Sequence, residues 1–109
     1  MIIESDHIEQ WRITITRQGD DDWPVTPVHW SRTGQRYQPE VINVSLMRGT
    51  RHPTVHMSGR RLKKDGTPGE AKVADRYMSR DQVPDWAQEL IRQARTDLGL
   101  GPYQTEVGE

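Results

Sequence analysis

Residues 82–99 read QVPDWAQELIRQARTDLG, and this stretch decides the fold. Val83, Trp86, Leu90, Ile91, Ala94 and Leu98 recur at spacings of three and four, which sets them on one stripe of a helix. Pro84 falls where a first turn tolerates a missing N–H, and Asp85 adds negative charge near the positive end of the helix dipole. Gly99 can take the left-handed conformation that ends helices, Leu100 can fold back on the last turn, and Gly101-Pro102 stops continuation. Almost everything before this stretch reads as strand. The stripe therefore has to cover a sheet.

Working backwards, residues 71–78 form a strand with Val73 and Tyr77 on one face. Lys64-Asp65-Gly66, extended by Thr67-Pro68-Gly69, is a strong turn signal. Residues 54–62, TVHMSGRRL, give a strand with Val55 and Met57 toward the core and a bend at Gly59. Residues 41–48, VINVSLMR, place Ile42, Val44 and Leu46 on one face while Val41 and Met47 keep the other semi-apolar. That pattern predicts a central strand. Residues 31–37 suggest a short strand interrupted at Gly34. In residues 23–30, WPVTPVHW, two prolines deny ladder donors and predict an extended connection or irregular edge, with at least one tryptophan packed over an end of the core. Residues 8–17 alternate Trp11, Ile13 and Ile15 with Arg12, Thr14 and Thr16, a half-buried strand. Residues 1–7 read as a frayed or weak edge. The expectation is an α+β fold: an antiparallel β-meander of about four strands, covered on one face by a single C-terminal α-helix.

At 109 residues the chain fits a single α+β domain over 1–109, with a mobile tail at about 103–109. Only 32% of the residues are hydrophobic, so the core is thin, and the semi-apolar face at Val41 and Met47 would suit a homodimer. Cysteine is absent, which excludes disulfides and thiolate metal sites and fits a reducing cytoplasm. No basic start precedes an apolar run, and no run approaches the ~20 apolar residues of a membrane helix. The expected setting is cytoplasmic, without membrane.

Charge is uneven along the chain. Residues 1–30 carry two cations against six acids, a balance of −4. Residues 31–80 carry eleven against four, +7. Residues 81–109 carry two against six, −4, and the whole is −1. Such a chain can neutralise itself on folding, the bland expectation; the sharper one is a basic surface for an anionic partner. Arg60, Arg61, Lys63 and Lys64, with Arg48, Arg51, Lys72 and Arg76 nearby in sequence, carry the sharper reading. If residues 54–78 form a hairpin, these cations gather near its tip and outer face, where a β-ribbon could neutralise phosphates.

Other motifs give way to plainer explanations. His52 and His56 are four apart, ~13 Å along a strand, and His7 and His29 lie elsewhere, whereas a metal needs three or four convergent ligands. Asp20, Asp21 and Asp22 lack the alternating acids, glycine and final Glu of an EF-hand loop. Gly66-Thr67-Pro68-Gly69 outlines a GxxG clamp, but the nucleic-acid clamp of that shape lies between helices and here strands flank it. A Walker loop is missing, and no Ser-His-Asp spacing is diagnostic. No cofactor, metal site or catalytic residue is expected, and the chain does not read as an enzyme.

From Ser58 to Ala94, the run SGRRLKKDGTPGE, then Tyr77, then VPDWAQELIRQA resembles small uncharacterised proteins of actinobacteria and their phages. The similar features are a strand ending in Arg-Leu, a Lys-Asp-Gly turn with a second glycine, and a final helix opening Pro-x-Trp. They cover about a third of the chain. The resemblance implies that origin and a hairpin-plus-helix unit, and it carries no activity and no functional residue. The leading expectation is a small non-enzymatic interaction protein, a phage accessory factor binding a host or phage protein. The alternative is a nucleic-acid-binding accessory protein using the basic hairpin 54–78.

Overall fold

The structure is a computed structural model that describes residues 1–6, 11–28, 32–46, 53–74, 78–79 and 81–100. Six strands precede one helix among these residues: β1 (Ile2–Asp6), β2 (Trp11–Thr16), β3 (Thr26–Pro27), β4 (Arg36–Leu46), β5 (Thr54–Leu62), β6 (Pro68–Ala74) and α1 (Asp85–Asp97). The sheet is antiparallel in the order β1-β2-β4-β5-β6, with β3 paired to the first residues of β4. The α+β architecture with one C-terminal helix is as the sequence predicts, and no helix among the described residues is long and apolar enough to cross a membrane.

The strand count exceeds the predicted four, for two physical reasons. Residues 2–6 are a full strand, because every position from Ile2 to Asp6 finds a partner on β2, from Thr16 to Arg12. Ile3 and Ser5 thereby face the covered side, a period too short and too polar to be read alone. Pro27 is tolerated in β3 because that strand is two residues long and pairs on one side only.

Strand β4 also starts five residues earlier than the apolar pattern begins. A register shift between Pro39 and Val41 inserts one extra residue, Glu40. Such a bulge reverses the alternation. Tyr37 and Pro39, at odd positions, consequently share the covered face with Ile42 and Val44, at even ones, and all four are buried. The central position predicted for residues 41–48 holds, since β2 and β5 flank β4. Strand β6 runs from Pro68 to Ala74, so it begins before the predicted start at 71, while residues 75–77 of the predicted strand lie outside the described residues. Val73 is buried, and Met78 makes an isolated bridge to Val55. Tyr77, Met47, the tail 103–109, and His7, His29 and His52 lie outside the described residues.

Helix α1 opens after Pro84, whose carbonyl accepts the N–H groups of Ala87 and Gln88, both at 3.0 Å. It closes where Leu100 N–H returns to Arg95 O at 2.8 Å and Gly99 turns left-handed at φ 72°. Ala87, Ile91 and Ala94 are fully buried, together with Arg95, whereas Trp86, Leu90 and Leu98 are half-buried at the rim. The stripe is thus rotated from the predicted one. Alanines sit where the helix approaches the sheet, and bulkier side chains wrap its flanks.

Two tryptophans brace this arrangement. Trp23 is buried and packs against Trp86 with ring centroids 5.5 Å apart and planes tilted at 45°, so one tryptophan of 23–30 packs on the core as the sequence predicts. The Arg95 guanidinium lies 4.5 Å from the Trp11 ring centre, a cation over a π face. The helix covers the part of the sheet built on Ile13, Ile15, Ile42, Val44, Val55 and Met57. Val28, Tyr37 and Val73 form a separate small cluster beyond it. The molecule is accordingly elongated, 46 × 29 × 22 Å. The other sheet face, away from α1, carries Thr14, Asn43, His56 and Ser58 around a half-buried Val41.

Candidate functional site

The hairpin of β5 and β6 is built around Gly59. A Cβ there would lie 1.9 Å from Gln38 O, so only glycine lets β5 pass the bulged segment of β4. Beyond that point the register sets the side chains. Arg61 pairs with Tyr37 and therefore lies on the helix-side face, past the helix and exposed. Arg60 pairs with Gln38 and Lys72, on the opposite face. A register shift between Arg60 and Leu62 then leads into the turn.

That turn is fixed by its own hydrogen bonds. Lys63 N–H donates to Thr67 O at 2.7 Å, and Gly66 N–H, at a left-handed φ of 86°, donates to Lys63 O at 3.0 Å. Asp65 Oδ1 accepts both the Thr67 hydroxyl at 2.6 Å and the Thr67 N–H at 3.0 Å. These bonds, the hydroxyl first, hold the Asp65 carboxyl below the usual carboxylate range. The acid of the turn is thereby engaged with the turn itself, and Lys63 and Lys64 are exposed. The Gly66–Gly69 segment joins two strands, as the turn reading of the sequence had it.

Of the six candidates, four come together. Arg60, Arg61, Lys63 and Lys64 occupy the last third of β5 and its turn. Arg48 and Arg51 lie outside the described residues. One cation outside these six, Arg36, lies beside them on the neighbouring strand β4. Arg36 precedes Tyr37 on β4 beside the same turn, and Arg32 lies in the link between β3 and β4, whose ends are clasped by Val28 N–H to Gln35 O at 2.9 Å. The early start of β4 and its register with β5 place Arg36 there.

Neutralisation within the chain is slight here. Among the described residues one cation of this end is in an ion pair: Arg60, whose Nε lies 3.2 Å from Glu40 Oε1 and whose Nη1 also donates to Glu70 O at 3.3 Å. Arg61, Lys63, Lys64 and Lys72 are exposed and pair with no described acid. Segment 58–74 thus holds five cations, Arg60, Arg61, Lys63, Lys64 and Lys72, against Asp65 and Glu70, a balance of +3. Two other acids have partners of their own. Asp21 accepts Gln18 N–H at 2.8 Å and meets the Met1 amino group at 3.0 Å, and Glu89 pairs with Arg92 along α1.

The remaining sequence motifs resolve into structure. Among the described residues no three His, Asp or Glu side chains converge as a metal set. Asp21 closes a turn in which its own N–H reaches Gln18 O at 3.0 Å. His56 lies on β5 opposite Asn43, which accepts the Thr14 hydroxyl at 2.9 Å. No protein-family model matches the chain, and neither a curated protein nor a solved structure matches it.

Proposed function

We propose that the chain is a small non-enzymatic interaction protein that docks an anionic partner through the basic end of its sheet. One observation carries this reading: Lys63 and Lys64 on a hydrogen-bonded turn, with Arg61 and Lys72 on the strands beside it, are exposed and unpaired among the described residues. Surface cations left without intramolecular partners cost little to engage, because no existing ion pair has to be broken. The fixed turn lowers the ordering cost of binding. A host or phage protein with an acidic surface and a nucleic acid both meet this requirement.

The test exploits the net charge. A protein of net charge −1 with evenly mixed charges should pass a cation-exchange or immobilised-heparin column at pH 7. The wild type should instead be retained and eluted by salt. The double substitution Lys63→Glu with Lys64→Glu should flow through with its urea midpoint unchanged. Flow-through of the wild type would refute the reading.

A further inference from the structure

The two outer strands of the sheet are not alike. At one side β6 opens on Pro68, carries Lys72 and meets β5 through a register shift between Arg60 and Leu62, devices that keep a foreign strand from adding. The short β3 is guarded in the same way by Pro27. At the other side β1 holds five residues in unbroken register with β2, without proline, glycine, lysine or arginine, and no described strand lies beyond it. Its outward N–H and C=O groups are a template for one more strand. We infer that β1 pairs antiparallel with β1 of a second copy of this chain, joining two sheets about a two-fold axis.

Self-complementarity selects both the occupant and the register. Opposed residues of an antiparallel pair share a face, so the covered face continues across the seam only where odd positions meet odd ones. Centred on Ile3, the ladder sets Ile3 against its own counterpart, Ile2 against Glu4 and Met1 against Ser5, and no like charges are opposed. Centred on Glu4, it would oppose two carboxylates. Ile3 is also the last member of a row that crosses the covered face as Met57, Ile42, Ile15 and Ile3. The first three are fully buried, whereas Ile3 is half-buried at the edge of the core. Pairing across the axis carries that row into the second copy and covers Ile3. On the opposite face Ile2, which is 47% exposed, gains a neighbour at the seam. Both helices fit: α1 packs against β2, and the two β2 strands would stand ~14 Å apart, more than the about 8–10 Å at which helices pack. The basic hairpins then lie at the two outer sides of the joined sheet, away from the seam.

The chain has no cysteine, so single introduced thiols report the seam. Directly opposed residues have Cα atoms about 4.5–5.5 Å apart, within the span of a disulfide, whereas positions two residues out of register exceed its limit of about 7 Å. With oxidised glutathione and protein on the order of 100 μM, Ile3→Cys should form a covalent dimer. An equal mixture of Ile2→Cys and Glu4→Cys should give the mixed dimer, and Glu4→Cys alone should stay monomeric. Urea midpoints of the reduced variants near that of the wild type show that each is folded. Sedimentation of the unaltered chain from about 10 μM to 1 mM should show its mass rising toward that of a dimer. Lys63→Glu with Lys64→Glu should sediment as the wild type does. A monomer mass throughout would overturn the inference. A dimer in which Ile3→Cys fails to cross-link, or Glu4→Cys cross-links by itself, would also overturn it, because the seam or its register would then be another. Loss of the dimer in the double lysine variant would move the seam to the basic hairpin and overturn it as well.

Discussion

Replacing Gly59 by alanine tests the fold at the point where it depends on one missing atom. The added Cβ would sit 1.9 Å from Gln38 O, 2.7 Å from Gln38 C and 2.8 Å from Pro39 Cα, all backbone atoms of β4. Normal contact is ~3.5 Å, so β4 and β5 would have to separate by more than an ångström beside the bulge. Overpacking alone costs about 1–3 kcal/mol. Loss of one or two neighbouring ladder bonds adds about 1 kcal/mol each, and the expected destabilisation is about 3 kcal/mol or more. A small domain has only about 5–15 kcal/mol in total, so much of the stability goes. Urea unfolding followed by tryptophan fluorescence reads it: at about 1–3 kcal/mol per molar, the midpoint should drop by a molar or more. Gly19→Ala is the control, because nothing lies within 4 Å of its Cβ. Coincident midpoints for Gly59→Ala and wild type would refute the close approach of β5 to the bulge, and with it the register of the hairpin.

Ile91 is fully buried and Leu90 sits at the rim, so Ile91→Ala should cost about 2–5 kcal/mol and Leu90→Ala distinctly less; the reverse order in urea midpoints would return the buried stripe to its predicted position. Thr26 is buried with its hydroxyl unpartnered among the described residues, so Thr26→Val should stabilise by about 1 kcal/mol, seen as a raised thermal midpoint. The carboxyls of Asp21, Asp65 and Glu89 are all held below their ordinary values, by Gln18 N–H, the Thr67 hydroxyl and Arg92 respectively. Unfolding therefore takes up protons in acid: the contribution is complete above about pH 4 and is lost as pH falls through the lower folded values. Urea midpoints between pH 6 and pH 2 should fall on the acid side, and Glu89→Gln with Asp65→Ala should flatten that fall; parallel curves would count against these contacts.

Much of the fold was legible because two periods dominate the chain. Ile13 and Ile15, Ile42 and Val44, and Val55 and Met57 alternate cleanly, and all six are buried. What escaped was whatever breaks a period or depends on a distant partner. Glu40 hides the first half of β4 by reversing its alternation, so Tyr37 and Pro39 looked unrelated to Ile42. β1 has one buried-side isoleucine and owes its existence to β2. The helix face was misjudged by half a residue step because hydrophobicity ranks Leu90 above Ala87, whereas close approach to a sheet favours the smaller side chain. Among the site candidates, Arg60, Arg61, Lys63 and Lys64 follow from a hairpin visible in sequence, while Arg36 needed the early start of β4 and its register with β5.

The basic hairpin stands on a part of the sheet that the helix does not cover. Here the small Val28, Tyr37 and Val73 cluster supports the hairpin beyond the reach of α1, and that extension exposes the cations. The link can be tested directly. Tyr37→Ala should loosen this distal cluster and weaken retention on heparin, although Tyr37 carries no charge and is fully buried. Unchanged retention in a variant whose hairpin amides exchange faster would show that the charges alone, and not their placement on a rigid ribbon, set the affinity.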